Sequence, residues 1–297
     1  MRWITVNFGS VITAMVTPFK ENGKVNFAQA QKLAQFLMEN GSDGVVVSGT
    51  TGEASTMSFG EKADLFTAVK EAVDGKGLVI AGTGDNETKT SVELSEIATK
   101  IGVDGLLLVV PYYNKPPQEG LYQHFKAVAS TTPLPIMLYN IPSRTGSNLL
   151  PETVQRLAQM DNIIAIKEAT GAMDQVSELR KRLGDTFAIY SGDDSLTLPM
   201  LALGCSGVVS VVAHLVGKKI KIMIESFQAG NIQQALNIHL ELFDLFRGMF
   251  ITTNPIPVKT ALNLMGWDLG GFRLPMVAVS EKERSFIEKL LKQYQLI

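Results

Sequence analysis

Short apolar segments alternate with longer amphipathic segments along most of the chain. Continuous apolar runs, rather than strict polar–apolar alternation, are typical of parallel strands that are buried on both faces. Eight such strands with helices between them predict an α/β fold of the (β/α)8 (TIM) barrel type. The predicted strands span residues 11–17, 44–48, 78–82, 105–110, 135–140, 163–167, 187–191 and 207–212.

The helical patterns divide into two groups. Those between the predicted strands span residues 27–40, 60–73, 88–101, 119–130, 151–159 and 174–183. Those after the eighth strand span residues 213–227, 232–249, 258–265 and 281–293. We assign residues 1–228 to a catalytic barrel and residues 229–297 to a C-terminal helical appendage.

A doubly wound open sheet is the alternative fold. The segment Gly82-Thr83-Gly84-Asp85-Asn86-Glu87 begins like a dinucleotide-binding turn, but Glu87 occupies the place of its third glycine. The strand count and this departure favour the barrel.

Composition restricts the class of protein. The 297 residues carry a net charge of -2, with acidic and basic residues interspersed, which argues against nucleic-acid binding and a basic membrane patch. A single cysteine, Cys205, fits a reducing compartment. The apolar stretch 3–19 is interrupted by polar residues and is followed by no cleavage site, so we expect a cytoplasmic protein without a targeting segment.

Lys167 ends the apolar strand 163–167 and is therefore expected inside the barrel mouth. Burial of an ammonium lowers its pKa and favours the neutral amine that attacks a carbonyl. A structural ion pair, for instance with Glu168, explains the position about equally well, although adjacent strand residues point to opposite faces.

Other polar residues at strand ends are candidates for the same site. Tyr139 could exchange protons with Lys167 or simply pack. Thr50 and Thr51 could bind a carboxylate or merely form a tight turn, and Arg144 could bind a carboxylate or be solvated. Asp193-Asp194 is interpreted as a helix start, and the dispersed histidines predict no metal site.

Several longer motifs occur together in a fixed order, and in that order the chain resembles the dihydrodipicolinate synthase family, within the N-acetylneuraminate lyase superfamily of class I pyruvate aldolases. The resemblance runs from about residue 9 to the end of the chain. The motifs that carry it are Gly49-Thr50-Thr51-Gly52-Glu53, Pro111-Tyr112-Tyr113-Asn114, the segment 139–146, Ile166-Lys167-Glu168-Ala169-Thr170 and Asn254-Pro255-Ile256-Pro257-Val258-Lys259.

The resemblance implies a lyase that condenses pyruvate with L-aspartate 4-semialdehyde to 4-hydroxy-tetrahydrodipicolinate, in lysine and diaminopimelate biosynthesis. Lys167 would form the Schiff base with pyruvate, and Tyr139, Thr51 and Tyr113 would relay protons. The pyruvate site would contain Thr50, Thr51, Gly192 and Val209. A protonated imine is itself an electron sink, so no metal or organic cofactor is expected.

The resemblance also implies an oligomeric assembly and ranks the alternative functions. Tyr113 would reach the neighbouring subunit's site, in a homotetramer built as a dimer of dimers, and Arg144 would bind the semialdehyde carboxylate. Thr50 and Arg144 favour this reaction over that of N-acetylneuraminate lyase and, less firmly, over other keto-acid aldolases and dehydratases. A barrel that only binds a ligand, without catalysis, is disfavoured because the chain retains all five proposed site side chains: Lys167, Tyr139, Thr51, Tyr113 and Arg144.

A possible regulatory site departs from the family pattern. Asn86 and Tyr112 match the residues that bind L-lysine in feedback-inhibited relatives. Thr90 stands at the acidic position, and Phe59 and Lys62 stand at the histidine positions. Loss of the carboxylate removes a charged partner for the ligand's ammonium, which predicts weak or absent inhibition by L-lysine.

Overall fold

The computed structural model describes residues 8–297, and the start of the apolar N-terminal stretch, residues 3–7, lies outside the described residues. Eight parallel strands pair in sequence order, and the last closes on the first. This closure confirms the predicted (β/α)8 barrel and excludes an open sheet. The strands are β1 Val11–Ala14, β2 Gly44–Val47, β3 Leu78–Gly82, β4 Gly105–Val109, β5 Ile136–Asn140, β6 Ile163–Glu168, β7 Ala188–Ser191 and β8 Gly207–Ser210.

Helices surround the barrel and continue beyond it. The first eight are α1 Phe27–Glu39, α2 Phe59–Val73, α3 Thr88–Ile101, α4 Gln118–Ala129, α5 Pro142–Thr145, α6 Pro151–Leu157, α7 Met173–Leu183 and α8 Thr197–Ala202. They are followed by α9 Ala213–Gln228, α10 Ile232–Gly248, α11 Ile256–Leu264 and α12 Glu281–Gln293. The predicted boundary at 228/229 falls between α9 and α10, and the division into two units stays a prediction.

Two helices were not predicted from the sequence. The helix α5 has 4 residues and α8 has 6 residues, which is too short for an apolar periodicity to appear. The strand β1 ends at Ala14, three residues before the predicted end, and α11 begins at Ile256, two residues before the predicted start. The early start of α11 follows from Pro257, whose fixed φ suits the first turn of a helix.

The strands bury both faces, as their continuous apolar sequences predict. Their outward side chains, such as Val47 and Ile166, belong to the large core between the barrel and the helices. Their inward side chains fill the barrel in a separate cluster: Phe8, Ile12, Ala14, Val46, Ile80, Leu107, Met137, Tyr139, Ala165, Tyr190 and Val209. Because side chains alternate along a strand, Lys167 follows Ala165 onto the inner face.

No helix within residues 8–297 is both long enough and apolar enough to cross a membrane.

Candidate active site

Lys167 lies near the carboxyl end of β6 and is 6% exposed. Burial lowers the pKa of its amine to about 7, and the nearby charge of Arg144 acts in the same direction, whereas Asp194 raises it. A lysine with this pKa has a substantial neutral fraction at neutral pH and can act as a nucleophile.

Lys167 does not form the ion pair with Glu168 that was the alternative explanation of its position. Glu168 points away from the barrel interior, where its carboxylate accepts hydrogen bonds from Asn140 Nδ2 at 3.1 Å, Gln175 Nε2 at 3.2 Å and the Thr170 backbone N–H at 2.8 Å. Alternation along β6 therefore separates the two side chains, as expected for adjacent strand residues.

Tyr139 is the neighbour of Lys167 across the sheet. The two residues pair in the register of β5 and β6, and the Lys167 Nζ lies 4.2 Å from the centroid of the Tyr139 ring. Burial raises the pKa of Tyr139 to about 12, while the charge of Arg144 and a hydrogen bond with the Thr50 side chain lower it. The phenol is therefore a neutral donor beside the amine.

Asp194 is a functional candidate that the sequence analysis missed. Its carboxylate accepts hydrogen bonds from the Ser210 hydroxyl and from the backbone N–H groups of Val211 at 3.0 Å and Val212 at 3.2 Å. Burial raises its pKa to about 6. The preceding residue, Asp193, caps the short helical turn by accepting a hydrogen bond from Ser195 N at 2.9 Å, which confirms the predicted helix start. Because this cap explains the Asp193-Asp194 pair by itself, the sequence offered no reason to assign Asp194 a separate role.

Thr50 and Thr51 lie in the tight turn after β2. The turn ends at Glu53, a non-glycine residue with a left-handed backbone (φ 55°), whose carboxylate forms a fully buried ion pair with Lys259 at 3.1 Å. The Thr51 hydroxyl accepts a hydrogen bond from Asn254 Nδ2 at 2.9 Å. The C-terminal region therefore holds this turn at two points.

Arg144 lies in the short helix α5. Its Nη2 donates a hydrogen bond to the Asn254 carbonyl at 3.3 Å. Asn254, whose motif had been given no role, thus contacts both Thr51 and Arg144. Its partners are separated from it by 203 and 110 residues, a distance in sequence at which no local pattern reports a contact.

A cavity of about 240 Å³ opens at this end of the barrel. Such concave sites with a few polar groups are typical of small-molecule binding. Its lining includes Thr50, Tyr139, Arg144 and Asn254, together with Ser48, Glu53, Lys62, Asp85, Tyr112 and Thr145.

Gly192 and Val209 lie against the same centre. A Cβ at Gly192 would lie 3.1 Å from Lys167 Cε and 2.7 Å from Ala169 Cβ, so a side chain there would displace the lysine. Val209 is buried among the inner-face residues together with Tyr139. Both positions are therefore compatible with the predicted pyruvate pocket.

Tyr113 is not gathered into the cavity. It is 88% exposed and has a left-handed backbone (φ 73°), whereas the hydroxyl of its neighbour Tyr112 donates to Asp85 Oδ2 at 3.2 Å. A large aromatic side chain that is exposed on a strained backbone is unusual in a residue that acts only within its own subunit.

Only some residues of the possible regulatory site line the cavity. Lys62 and Tyr112 line the cavity, and burial lowers the pKa of Lys62. The Asn86 carbonyl accepts from Asn114 Nδ2 at 2.9 Å, and Thr90 Oγ1 donates to the Glu87 carboxylate. Phe59, the first residue of α2, is 39% exposed.

No group of three or more histidine, cysteine, aspartate or glutamate side chains in residues 8–297 is placed to hold a metal ion.

Comparison with known proteins decides the family. The family model of the dihydrodipicolinate synthetase family matches residues 7–294. The chain belongs to the dihydrodipicolinate synthetase family. It is 58% identical over 294 residues to the 4-hydroxy-tetrahydrodipicolinate synthase of Desulforamulus reducens, covering 99% of both chains. It is 56% identical to that of Desulforudis audaxviator, covering 99% of this chain and 100% of the relative.

Solved structures agree with this membership. A dihydrodipicolinate synthase from Cyanidioschyzon merolae, solved with lysine bound, is 48% identical and superposes with a TM-score of 0.96, covering 98% of this chain and 99% of that chain. The chloride-inhibited dihydrodipicolinate synthase of Acinetobacter baumannii, solved with pyruvate, is 39% identical with a TM-score of 0.95, covering 98% and 100%. The family resemblance inferred from the motifs is therefore confirmed.

Proposed function

We propose that Lys167 carries the reaction of this family, the condensation of pyruvate with L-aspartate 4-semialdehyde, through a Schiff base. The observation that carries this assignment is the buried amine whose pKa is lowered to about 7, at the carboxyl end of a barrel strand. The chain is a lyase of lysine and diaminopimelate biosynthesis, as the family membership indicates.

The chemistry begins with attack of the neutral Lys167 amine on the C2 carbonyl of pyruvate. Loss of water from the carbinolamine gives a protonated imine, which acidifies the pyruvate methyl group. Proton loss produces an enamine, whose carbon attacks the aldehyde of the semialdehyde. The amino group of the semialdehyde then attacks the imine carbon, which closes the ring and releases Lys167.

Proton movement in these steps is assigned to hydroxyl groups near the amine. Tyr139 would donate to the departing carbinolamine hydroxyl, because its ring lies 4.2 Å from Lys167 Nζ and its phenol is protonated. The side chain that hydrogen-bonds to Tyr139 is that of Thr50, so Thr50, beside the predicted Thr51, would connect Tyr139 to solvent together with Tyr113. Tyr113 would act from the partner subunit, since it is 88% exposed and does not line its own cavity.

The two substrates would bind through different groups. Backbone N–H groups of Thr50 and Thr51 would hold the pyruvate carboxylate, with Gly192 and Val209 beside it. Arg144 would bind the semialdehyde carboxylate, because its guanidinium borders the cavity next to Tyr139.

A Tyr113 side chain that acts in the partner subunit's site requires an oligomer. We propose a homotetramer built as a dimer of dimers. We place this assembly in the cytoplasm, in keeping with the single cysteine.

A coupled assay tests the reaction. Purified protein should consume pyruvate when L-aspartate 4-semialdehyde is present, and N-acetylmannosamine should not replace the semialdehyde as acceptor. A higher rate with N-acetylmannosamine would assign the chain to sialic-acid chemistry instead.

A further inference from the structure

A second pair of side chains lies directly behind Lys167 and Tyr139. Asn140 and Glu168 are the next register partners along β5 and β6, so their side chains point to the outer face of the barrel. Asn140 Nδ2 donates to Glu168 Oε2 at 3.1 Å, and the two residues are 0% and 2% exposed. A buried hydrogen bond therefore joins the two strands at the residues that follow the proposed proton donor and nucleophile.

The Glu168 carboxylate is supplied with hydrogen-bond donors on both oxygens. Besides Asn140, Gln175 Nε2 donates to Oε2 at 3.2 Å, and the Thr170 backbone N–H donates to Oε1 at 2.8 Å. Burial raises the pKa of the Glu168 carboxyl, and these hydrogen bonds partly offset the rise. A buried polar group whose partners are all present rigidifies the structure around it, here the carboxyl end of β6.

Two further amides extend this network and share its direction. Asn140 Nδ2 also donates to Asn148 Oδ1 at 2.8 Å. The amides of Asn148 and Gln175 bond to each other, with Asn148 Nδ2 donating at 2.8 Å and Gln175 Nε2 donating at 3.1 Å. Because an ionised Glu168 can only accept, it fixes which end of each neighbouring amide faces it.

The same network closes the segment that carries Arg144. Asn140 Oδ1 accepts from the Leu149 backbone N–H at 3.0 Å, and Asn140 Nδ2 donates to the Leu149 carbonyl at 3.4 Å. Residues 141–148, which include α5 and Arg144, therefore begin and end at the Asn140 side chain. One buried amide anchors both the strand end beside Tyr139 and the segment assigned to the second substrate.

We propose that Asn140 and Glu168 form a positioning pair, which holds Lys167 and Tyr139 opposite each other in the geometry that imine formation requires. This assignment rests on the proposed function. Neither residue of the pair lines the cavity, so they act through the backbone of β5 and β6. Displacement of a catalytic group by about 1 Å can lower a rate on the order of a hundredfold.

The first test measures the rate at which borohydride traps the pyruvate imine on Lys167 in single variants. Glu168→Gln replaces one acceptor oxygen by a donor, and Asn140→Asp places two carboxylates face to face. Each change should lower the trapping rate per folded molecule about tenfold or more, with the folded fraction taken from near-ultraviolet circular dichroism. Single variants that trap at the wild-type rate would overturn the proposal.

The reciprocal double variant supplies a readout specific to the pair. In Asn140→Asp/Glu168→Gln the new amide donates to the new carboxylate, so the same hydrogen bond forms in the opposite direction. The amides of Asn148 and Gln175 can rotate by half a turn, which reverses their bonds to match. The double variant should recover the trapping rate to within about threefold of wild type. A double variant no faster than Glu168→Gln alone would overturn the proposal.

Asn162 supplies a matched control at the opposite end of the same strands. Its Nδ2 donates to the carbonyls of Ala129 and Thr132, each at 2.9 Å. It precedes β6 and lies five residues before Lys167, about 16 Å along the strand. Asn162→Asp removes these hydrogen bonds and should retain the trapping rate within about twofold, because the carboxyl end of β6 is unaffected. An equal loss of rate in Asn162→Asp would show that Asn140 and Glu168 contribute only to stability and would overturn the proposal.

Failure of the positioning role can be distinguished from failure of the proposed function. A wild-type protein that forms no pyruvate adduct would refute the proposed function. A wild-type protein that forms the adduct, with pair variants that behave like Asn162→Asp, would refute the positioning role alone.

Discussion

Lys167 and Tyr139 are direct register partners on β6 and β5, and the lysine Nζ lies 4.2 Å from the tyrosine ring centroid. The sheet itself therefore sets the separation between the proposed nucleophile and its proton donor. Strand pairing in a closed barrel is rigid compared with loops, which suits a site that requires precise placement.

The protonation of Lys167 predicts a pH dependence. Burial lowers its pKa to about 7, so the amine is protonated below that pH and neutral above it. The rate of imine formation with pyruvate should rise about tenfold per pH unit below the pKa and level off above it. Single-turnover trapping with borohydride at a series of pH values measures this rate.

Two variants should move that profile in opposite directions. The charge of Asp194 raises the pKa of Lys167, and the charge of Arg144 lowers it. Asp194→Asn should therefore shift the midpoint to lower pH, and Arg144→Gln should shift it to higher pH. Shifts of the same sign, or a midpoint near that of an ordinary lysine, would contradict the assigned electrostatics.

Arg144 should matter for the second substrate more than for the first. Loss of a charge-assisted hydrogen bond to a carboxylate costs about 1.5–3 kcal/mol, which corresponds to an increase of roughly 10–100-fold in the KM for aspartate semialdehyde. Steady-state kinetics of Arg144→Gln measure this, with Arg247→Gln on α10 as a control outside the cavity lining. An unchanged semialdehyde KM would show that Arg144 does not bind this carboxylate.

The buried ion pair between Lys259 and Glu53 should make single substitutions costly. Lys259→Met leaves the Glu53 carboxylate without its cation in a site where the two side chains are 0% and 1% exposed. The free energy of unfolding should fall by about 3–5 kcal/mol, and by less in the double variant with Glu53→Gln. Urea unfolding measures both, and a double variant less stable than Lys259→Met would contradict the buried-pair interpretation.

Feedback by L-lysine should be weak or absent. Thr90 supplies no carboxylate, and the neighbouring Glu87 carboxylate is already bonded to the Thr90 hydroxyl. Lys62 stands at one of the histidine positions of the possible regulatory site, and its positive charge would oppose an ammonium ligand beside it. Activity measured against increasing L-lysine should persist through the sub-millimolar range, whereas Thr90→Glu should increase inhibition. Strong sub-millimolar inhibition of the wild-type protein would contradict this prediction.

The barrel could be predicted from the sequence because each strand is buried on both faces and so has an uninterrupted apolar pattern. Lys167 could be placed for the same reason, since a charged residue that ends such a run must enter the barrel mouth. Its role could not be decided at that stage. The separation from Glu168 and the pairing with Tyr139 depend on alternation and register, which the structure supplies.

The contacts of Asn254 and Asp194 could not be predicted from the sequence, for a different physical reason. The hydrogen bond of Asn254 to Thr51 spans 203 residues, and Asp194 follows a residue that satisfies a local helix-capping pattern by itself. Local sequence patterns report periodicity and caps, whereas these contacts arise only when the barrel closes and the C-terminal helices pack onto it.

The most direct test of the proposed chemistry is borohydride reduction in the presence of pyruvate, followed by peptide mass spectrometry. Three buried lysines with lowered pKa lie near this site, Lys167, Lys62 and Lys259, and of the three only Lys167 is the register partner of Tyr139. We predict one pyruvate-derived adduct on Lys167, which Lys62→Arg retains and Lys167→Arg abolishes. An adduct on Lys62, or no adduct on the wild-type protein, would contradict the assignment.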